Sequence, residues 1–258
     1  MASNLKNLLN EMEQRYNCLD FIEQDPIQIP HSFDKKQNIE ISGFFASIFA
    51  WGQRKTIINK TRDFLERMGS DPHDFILHHR PEDRLLFSDF KHRTFQAVDA
   101  YVFLEFLQKQ YRENESLEKA FSTYLTPNCQ NIEKALIGFR NDFMYNSGTL
   151  KRSLKHLSGP QTGSTCKRLN MFLRWMVRTD DKGVDFGIWN SISPALLCLP
   201  LDVHVERVAR KLGLLERKQK DWKAVLELTN KLKVFDKEDP ARYDFALFGM
   251  SVDKSLYY

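Results

Sequence analysis

Apolar residues recur at helical spacing along most of the chain. The first predicted helix carries Leu5, Leu8, Leu9 and Met12 on one side, and a second, buried one starts at Ile39. Further helices are predicted over 56–68, 95–112, 116–126 and 131–144. No segment alternates apolar and polar residues over the length of a strand, so the pattern predicts an all-α protein.

Two more helices are predicted between residues 157 and 214. Gly159, Pro160 and Gly163 favour a tight hairpin with positive φ, and Ser164 or Thr165 can cap the helix that follows. That helix has an apolar stripe of Leu169, Phe172, Leu173 and Met176. Its opposite side is predicted to be basic and carries Lys167, Asn170, Arg174 and Arg178.

The second of these helices begins and ends at clear signals. Pro200 stops the preceding segment, Asp202 is a natural N-cap, and Gly213 ends the helix. His204, Arg207 and Lys211 lie on its polar side.

The composition is that of a globular protein. Its 258 residues are 42% hydrophobic and 12% aromatic, which allows a sizeable core in one or two lobes. The net charge of +4 permits a polyanionic partner without requiring one. Because basic residues cluster beside the predicted hairpin, that segment is the candidate for such contacts.

The cysteine and histidine spacing does not favour a metal site. Cys18, Cys129, Cys166 and Cys198 form no C-x-x-C pair, so we expect neither zinc nor an iron–sulfur cluster. The spacing of His73 and of the pair His78-His79 is not that of zinc ligands with a further partner. Asp180, Asp181 and Asp185 are expected in a solvated loop. We therefore predict no cofactor and reduced thiols.

The chain has no apolar run long enough for a membrane span and no signal-peptide core. We expect a cytoplasmic protein that does not contact membranes. We also expect it to be a monomer.

The segment Pro200–Gly213 reads P-L-D-V-H-V-E-R-V-A-R-K-L-G. It resembles the Pro-x-Asp-x-His-x-x-Arg-x-x-x-x-Leu-Gly segment of the helix-hairpin-helix (HhH-GPD) DNA glycosylases, which include endonuclease III. The resemblance implies a two-lobed all-α fold in which Asp202 is the catalytic carboxylate. It places the nucleophilic lysine at Lys167, at the start of the helix after the hairpin.

An insertion at 179–199 lengthens the gap between Lys167 and Asp202. A gap of this length is similar to the archaeal 8-oxoguanine DNA glycosylase branch (AGOG), and the whole chain resembles an uncharacterised bacterial family related to it. The resemblance therefore points to an oxidised purine as the damaged base.

The resemblance also implies how the chain is divided and how it binds DNA. Residues 1–38 and 155–258 would form a terminal lobe and 39–154 a helical middle lobe, with double-stranded DNA in the cleft between them. Gln53, in a stretch that looks like one in endonuclease III, would enter the base stack. The remaining DNA contacts would come from Gly159, Gly163, Ser164, Thr165, Arg168, Arg174, His204 and Arg207. The family's hairpins can hold an alkali cation through backbone carbonyls.

Three functions stay open at this point. The first is a base-excision glycosylase with abasic-site lyase activity, which flips a damaged base into a pocket that includes Phe245 and Phe248. The second is a non-catalytic protein that binds structured or damaged nucleic acid. The third is a helical scaffold whose basic stripe docks an acidic protein.

Taken singly, the candidate residues also have ordinary structural explanations. Asp202 would be only a helix cap, Lys167 a solvated surface residue, and both phenylalanines core residues.

Overall fold

A computed structural model describes residues 2–146 and 150–252, and most of them are helical. In the described residues the α-helices are α1 (Ala2–Tyr16), α2 (Asp20–Gln24), α3 (Lys36–Ile48), α4 (Arg54–Glu66), α5 (Pro72–His78), α6 (Ala97–Glu113), α7 (Lys119–Ser122), α8 (Glu133–Tyr145), α9 (Lys167–Val177), α10 (Val203–Lys211), α11 (Trp222–Lys233) and α12 (Tyr243–Val252).

Shorter elements connect these helices. The 3₁₀ turns are Pro26–Gln28, Pro30–Ser32, Glu82–Phe87, Lys151–His156, Pro160–Thr162, Pro194–Leu196 and Pro240–Arg242. Two strands, β1 (Lys91–His92) and β2 (Phe95–Gln96), pair antiparallel with His92 opposite Phe95. The predicted helix over 95–112 therefore starts two residues too early, because a two-residue strand is too short to show alternation.

The helical periodicity located most of the long helices. The predictions for α1, α3 and α4 are confirmed, whereas the helix expected over 116–126 is only the four-residue α7. Helix α5, which begins at Pro72, was not among the predicted helices. Asp71 accepts a hydrogen bond from the backbone of Asp74, and Pro72 is the first helical residue.

The described chain divides into two compact, interleaved units. The terminal unit comprises residues up to Glu23, Thr126–Lys134 and the chain from Gly159 onward; the middle unit comprises Gln24–Leu125 and Ala135–Ser158. These boundaries differ from the predicted 1–38, 155–258 and 39–154, chiefly because residues 24–38 belong to the middle unit and the segment Thr126–Lys134 belongs to the terminal unit.

In the terminal unit, the first and the last described helices pack together. Helix α12 packs against α1 and α10. Arg242 donates to Glu13 of α1 at 2.8 Å, and Tyr243 donates to Asn10 at 3.0 Å. These two hydrogen bonds hold the start of α12 against α1, while α12 also packs against α10, the helix that Asp202 caps.

The middle unit has a core rich in phenylalanine. The rings of Phe45 and Phe64 lie 4.4 Å apart, and Phe49 contacts Phe64, Phe90 and Phe95 at 5.0–5.4 Å. Such contacts add directional preference to apolar burial and position the ends of α3 and α4. No helix within 2–146 or 150–252 has both the length and the apolar character that crossing a bilayer requires.

Candidate functional site

The predicted hairpin is a single 3₁₀ turn that spans Pro160–Thr162. Gly163 follows it with φ of +73°, whereas Gly159 has φ of −126°, so only one of the two glycines uses the left-handed region. The Gly159 carbonyl accepts from Thr162 Oγ1 at 2.8 Å, and the Pro160 carbonyl accepts from the Gly163 N–H at 2.9 Å. The alkali cation expected at these carbonyls stays a prediction.

The N-cap of α9 lies one residue after Thr165, the later of its two predicted caps. Its N-cap is Cys166, in the left-handed region at φ of +51°, and neither Ser164 nor Thr165 caps it. Ser164 Oγ instead accepts from the Cys166 N–H at 3.1 Å, and the Thr165 carbonyl accepts from Asn170 at 3.1 Å. Lys167 is thereby placed at the first position of the helix.

Asp202 caps α10 as predicted. Its Oδ1 accepts from the backbone N–H groups of His204 at 2.8 Å and Val205 at 3.0 Å. These two bonds fix the carboxylate, and its second oxygen, Oδ2, faces Lys167.

The structure brings Lys167 and Asp202 together within the terminal unit. Lys167 Nζ lies 3.8 Å from Asp202 Oδ2, and the side chains are 30% and 17% exposed. The two residues stand at the starts of different helices, on either side of the 179–199 insertion. A partly exposed amine beside a partly buried carboxylate can act on the same bound atom.

The basic side predicted for α9 is wrong for Arg174 and Arg178. Both guanidinium groups are buried, with 3% and 2% of the residue exposed, and both pair with Asp185. Arg174 therefore cannot contact DNA from this position, and no exposed basic stripe exists on α9 to dock an acidic protein. Lys167 and Arg168, in the first turn, are the helix's half-buried cations.

Asp180 and Asp185 of the insertion belong to this buried network, not to a solvated loop as expected, whereas Asp181 is exposed as expected. Arg178 donates to Asp185 at 2.7 Å, to Asp239 at 2.8 Å and to Asp180 at 3.0 Å. Burial by itself lowers the pKa of Arg178, but Asp185 and Asp239 outweigh it and hold the pKa above its usual value. The insertion thus packs onto α9 through charge pairs that the linear sequence does not show.

Asp244, on α12, links the network to the catalytic candidates. It makes a short ion pair with Arg174. Burial raises the pKa of Asp244 to about 6; Arg174 opposes the rise, and the negative charge of Asp202 adds to it. The two carboxylates are therefore close enough to influence each other electrostatically.

This raised pKa gives a pH dependence of stability that is specific to Asp244. Because its folded pKa lies above the unfolded value, its contribution to stability is complete below about pH 4 and is lost as pH rises through about 6. We expect Asp244→Asn to gain about 3 kcal/mol relative to the wild type between pH 4 and pH 8. Urea unfolding of both proteins across this range measures the difference, and parallel pH curves would contradict it.

The polar residues of α10 are exposed, as their predicted DNA contact requires. His204 Nδ1 lies 3.1 Å from Ser251 Oγ, and Arg207 donates to the same oxygen at 2.6 Å. The third predicted contact, Arg168, lies on α9; it is half-buried, and desolvation lowers its pKa to about 10. DNA binding by these three residues stays a prediction.

The two phenylalanines proposed for the base pocket differ in exposure. Phe245 is fully buried, with the Arg174 guanidinium carbon 4.2 Å from its ring centroid, so it is a core residue in this structure. Phe248 is half-buried, and its ring lies 5.8 Å from that of His204. The base-pocket role of Phe248 stays a prediction.

Gln53 belongs to the middle unit, where it is exposed at the junction of α3 and α4. It is the N-cap residue of α4, with extended backbone at φ of −73°, and its side chain does not bond the helix. The contact of Gln53 with the base stack stays a prediction.

Sequence reasoning missed Asp244 and the roles of Asp185 and Asp239. Asp244 stands in an apolar run between Tyr243 and Phe245, and a carboxylate in such a run signals a buried partner. Its partner, Arg174, could not be identified because the two lie far apart in the chain. No group of three or more His, Cys, Asp or Glu in the described ranges is arranged to hold a metal ion.

Comparison with known proteins gives one match. The sequence model of the family described as "Protein of unknown function (DUF2400)" matches residues 25–253. No curated protein and no solved structure matches the chain.

Proposed function

The chain belongs to the DUF2400 family, and from its site residues we propose that it is a base-excision DNA glycosylase with abasic-site lyase activity. Its partner would be double-stranded DNA that carries a damaged base, with an oxidised purine as the first candidate. The two-lobed helix-hairpin-helix fold is part of the same proposal, which agrees with a mostly helical chain of two interleaved units.

One observation carries this proposal: Lys167 Nζ lies 3.8 Å from Asp202 Oδ2. The resemblance singles out these two residues in separate segments of the chain, and it does so without reference to the distance between them. If Lys167 were an ordinary surface lysine, nothing would require it to lie beside the one carboxylate that the resemblance also singles out.

The chemistry needs both groups at one carbon. Breaking the N-glycosidic bond builds positive charge on the sugar, which a fixed carboxylate such as Asp202 stabilises. The amine of Lys167 forms a bond to C1′ while the bond from C1′ to the base breaks, and the base leaves with that electron pair and takes up a proton from the nitrogen. The ring then opens as O4′ leaves C1′ and takes up a proton, which gives a C1′ Schiff base. β-Elimination removes a C2′ proton and expels the 3′ phosphate.

The hairpin and the start of α9 provide the surroundings that this reaction requires. Gly163 is exposed at the tip, Ser164 and Thr165 are half-exposed, and Arg168 lies in the first turn of the helix. Backbone N–H groups and cations in such a turn suit the phosphates of a distorted strand.

The non-catalytic binder remains the second candidate. It accounts for the exposed cations of α10, Arg207 and Lys211, but it gives no reason for a carboxylate beside Lys167, because a carboxylate repels phosphate. The Lys167–Asp202 pair therefore favours the enzyme.

Borohydride trapping of the wild-type chain tests the enzyme directly. Duplexes with an abasic site, 8-oxoguanine, uracil or an alkylated purine are compared with an undamaged duplex of the same sequence. We expect a covalent adduct on the abasic duplex and on one damaged base, because borohydride reduces the Schiff base to a stable amine.

The lesion that traps identifies the substrate. An absence of adduct and of released base on every duplex, with binding to DNA intact, would establish the non-catalytic binder instead.

A further inference from the structure

The hairpin of β1 and β2 holds a residue in an unfavourable backbone conformation. Its two-residue turn consists of Arg93 and Thr94, and Arg93 has φ of +54°. Glycine or asparagine usually fills such a position, because a side chain there crowds the backbone. A long cationic side chain kept at this position suggests that the residue is needed for something other than the turn.

The hairpin is anchored to the core of the middle unit. His92 and Phe95 are buried; His92 Nε2 lies 3.0 Å from the Phe49 carbonyl, and the Phe95 ring lies 5.0 Å from that of Phe49. From the other side, Arg152 donates to Gln96 Oε1 at 3.1 Å. The turn is therefore presented on a fixed support.

The Arg93 guanidinium lies against the junction between α3 and α4. Its central carbon is 5.7 Å from the centroid of the Trp51 ring. Gly52 has φ of +112°, and a Cβ added there would lie 2.5 Å from Arg93 Nη2. The absence of a side chain at Gly52 thus makes room for the guanidinium, one residue before Gln53.

The surface around this guanidinium is basic. Lys91, two residues before Arg93, and Lys55, three residues after Gly52, are both exposed, as is Arg93 itself. The sequence of the hairpin, K-H-R-T-F-Q, contains no carboxylate. A planar guanidinium held in place beside further cations matches the geometry and charge of a phosphodiester.

We infer that the β1–β2 hairpin is a second DNA-binding element, in which Arg93 binds a backbone phosphate of the duplex next to the base stack at Gln53. The inference rests on the proposed function, since it takes DNA as the partner. It adds a contact in the middle unit that does not involve the hairpin before α9. Arg93 is a positioning residue and does not take part in the chemistry.

The test is the salt dependence of binding to a duplex with a tetrahydrofuran abasic analogue, measured with the full chain between about 50 and 200 mM salt. Losing one phosphate contact reduces the slope of log affinity against log salt by about 0.9. We expect Arg93→Gln to show this reduction, with about 3- to 10-fold weaker binding at the low-salt end. The matched control is Lys109→Gln, which removes an exposed cation about 18 Å from the start of α6, the helix that directly follows β2. This variant should keep the wild-type slope.

A second variant separates DNA binding from a structural role. Arg93→Gly relieves the positive φ, so we expect its Tm to stay within about 2 °C of the wild type while its salt slope falls as in Arg93→Gln. A large loss of Tm in Arg93→Gly would show that Arg93 serves the fold, and would overturn the inference.

Failure of the inference and failure of the proposed function give different results. An unchanged salt slope in Arg93→Gln, with the wild type still trapping on damaged DNA, would overturn the inferred DNA contact of the β1–β2 hairpin. The proposed glycosylase activity would still stand. A wild-type chain that neither binds nor traps on any duplex would overturn both.

Discussion

Replacing Lys167 by glutamine should abolish borohydride trapping and slow base excision by roughly 10⁴-fold or more, as the loss of a catalytic nucleophile does. Glutamine keeps most of the side-chain length but cannot form a Schiff base. Single-turnover excision on the lesion identified in the panel gives the rate, and trapping on an abasic duplex gives the adduct.

Lys182→Gln is the matched control, because Lys182 resembles Lys167 in two respects. Its side chain is also 30% exposed, and its amine lies 3.9 Å from a carboxylate, that of Asp181. We expect this variant to retain trapping and excision. If Lys167→Gln trapped as well as Lys182→Gln, another amine would be the nucleophile and the Lys167 assignment would be lost.

Asp202→Asn separates the two chemical roles within the same assay. Asparagine is as good an N-cap as aspartate, so the start of α10 should persist. We expect excision to fall by about 10²- to 10³-fold, the cost of one electrostatic stabiliser. Trapping on a duplex that already contains an abasic site should continue, because no glycosidic bond has to break there.

The largest loss of stability is expected at Arg178, far from any predicted contact with DNA. Its guanidinium pairs with Asp185 and Asp239 while only 2% of the residue is exposed. Arg178→Met keeps the volume of the side chain but leaves Asp239 without its cation and leaves Asp185 with Arg174 alone. Such a change costs about 3–5 kcal/mol, which corresponds to a fall in Tm of about 10 °C or more.

Chemical denaturation measures the free energy of unfolding of Arg178→Met and of a control variant, Arg210→Met. Arg210 pairs with Glu206 at 2.9 Å near the surface, with side chains 31% and 20% exposed, so its loss should cost no more than about 1 kcal/mol. Part of the Arg178→Met loss should return at pH 5, because burial already raises the pKa of Asp239 and the variant removes the Arg178 charge that opposes this rise. Equal destabilisation by the two variants would show that the buried network contributes no more than a surface pair.

Helical content was readable from the sequence because helix periodicity and caps are local properties. Asp202 was identified as an N-cap from its position before an amphipathic stretch, and the structure shows both of its capping bonds. The β1–β2 hairpin was missed for the same reason, since two residues per strand are too few for a period to appear.

The partners of charged residues could not be read locally. Lys167, Arg174 and Arg178 fall on one side of α9, and a polar side of a helix usually faces solvent. Here the insertion and α12 supply Asp185, Asp239 and Asp244 and bury the two arginines, while Lys167 at the start of the helix stays accessible.

By itself, the sequence determined the mostly helical class, the start of α10 at Asp202 and the two residues proposed for catalysis, because local spacing and a motif suffice for these. Only the tertiary structure decided that Lys167 lies 3.8 Å from Asp202, that Arg174 is a buried structural residue, and that Gly52 makes room for Arg93. Each of these is a contact between segments distant in the chain. Burial and ion pairing depend on the segments that surround a residue, and no property of the residue's own neighbourhood reveals them.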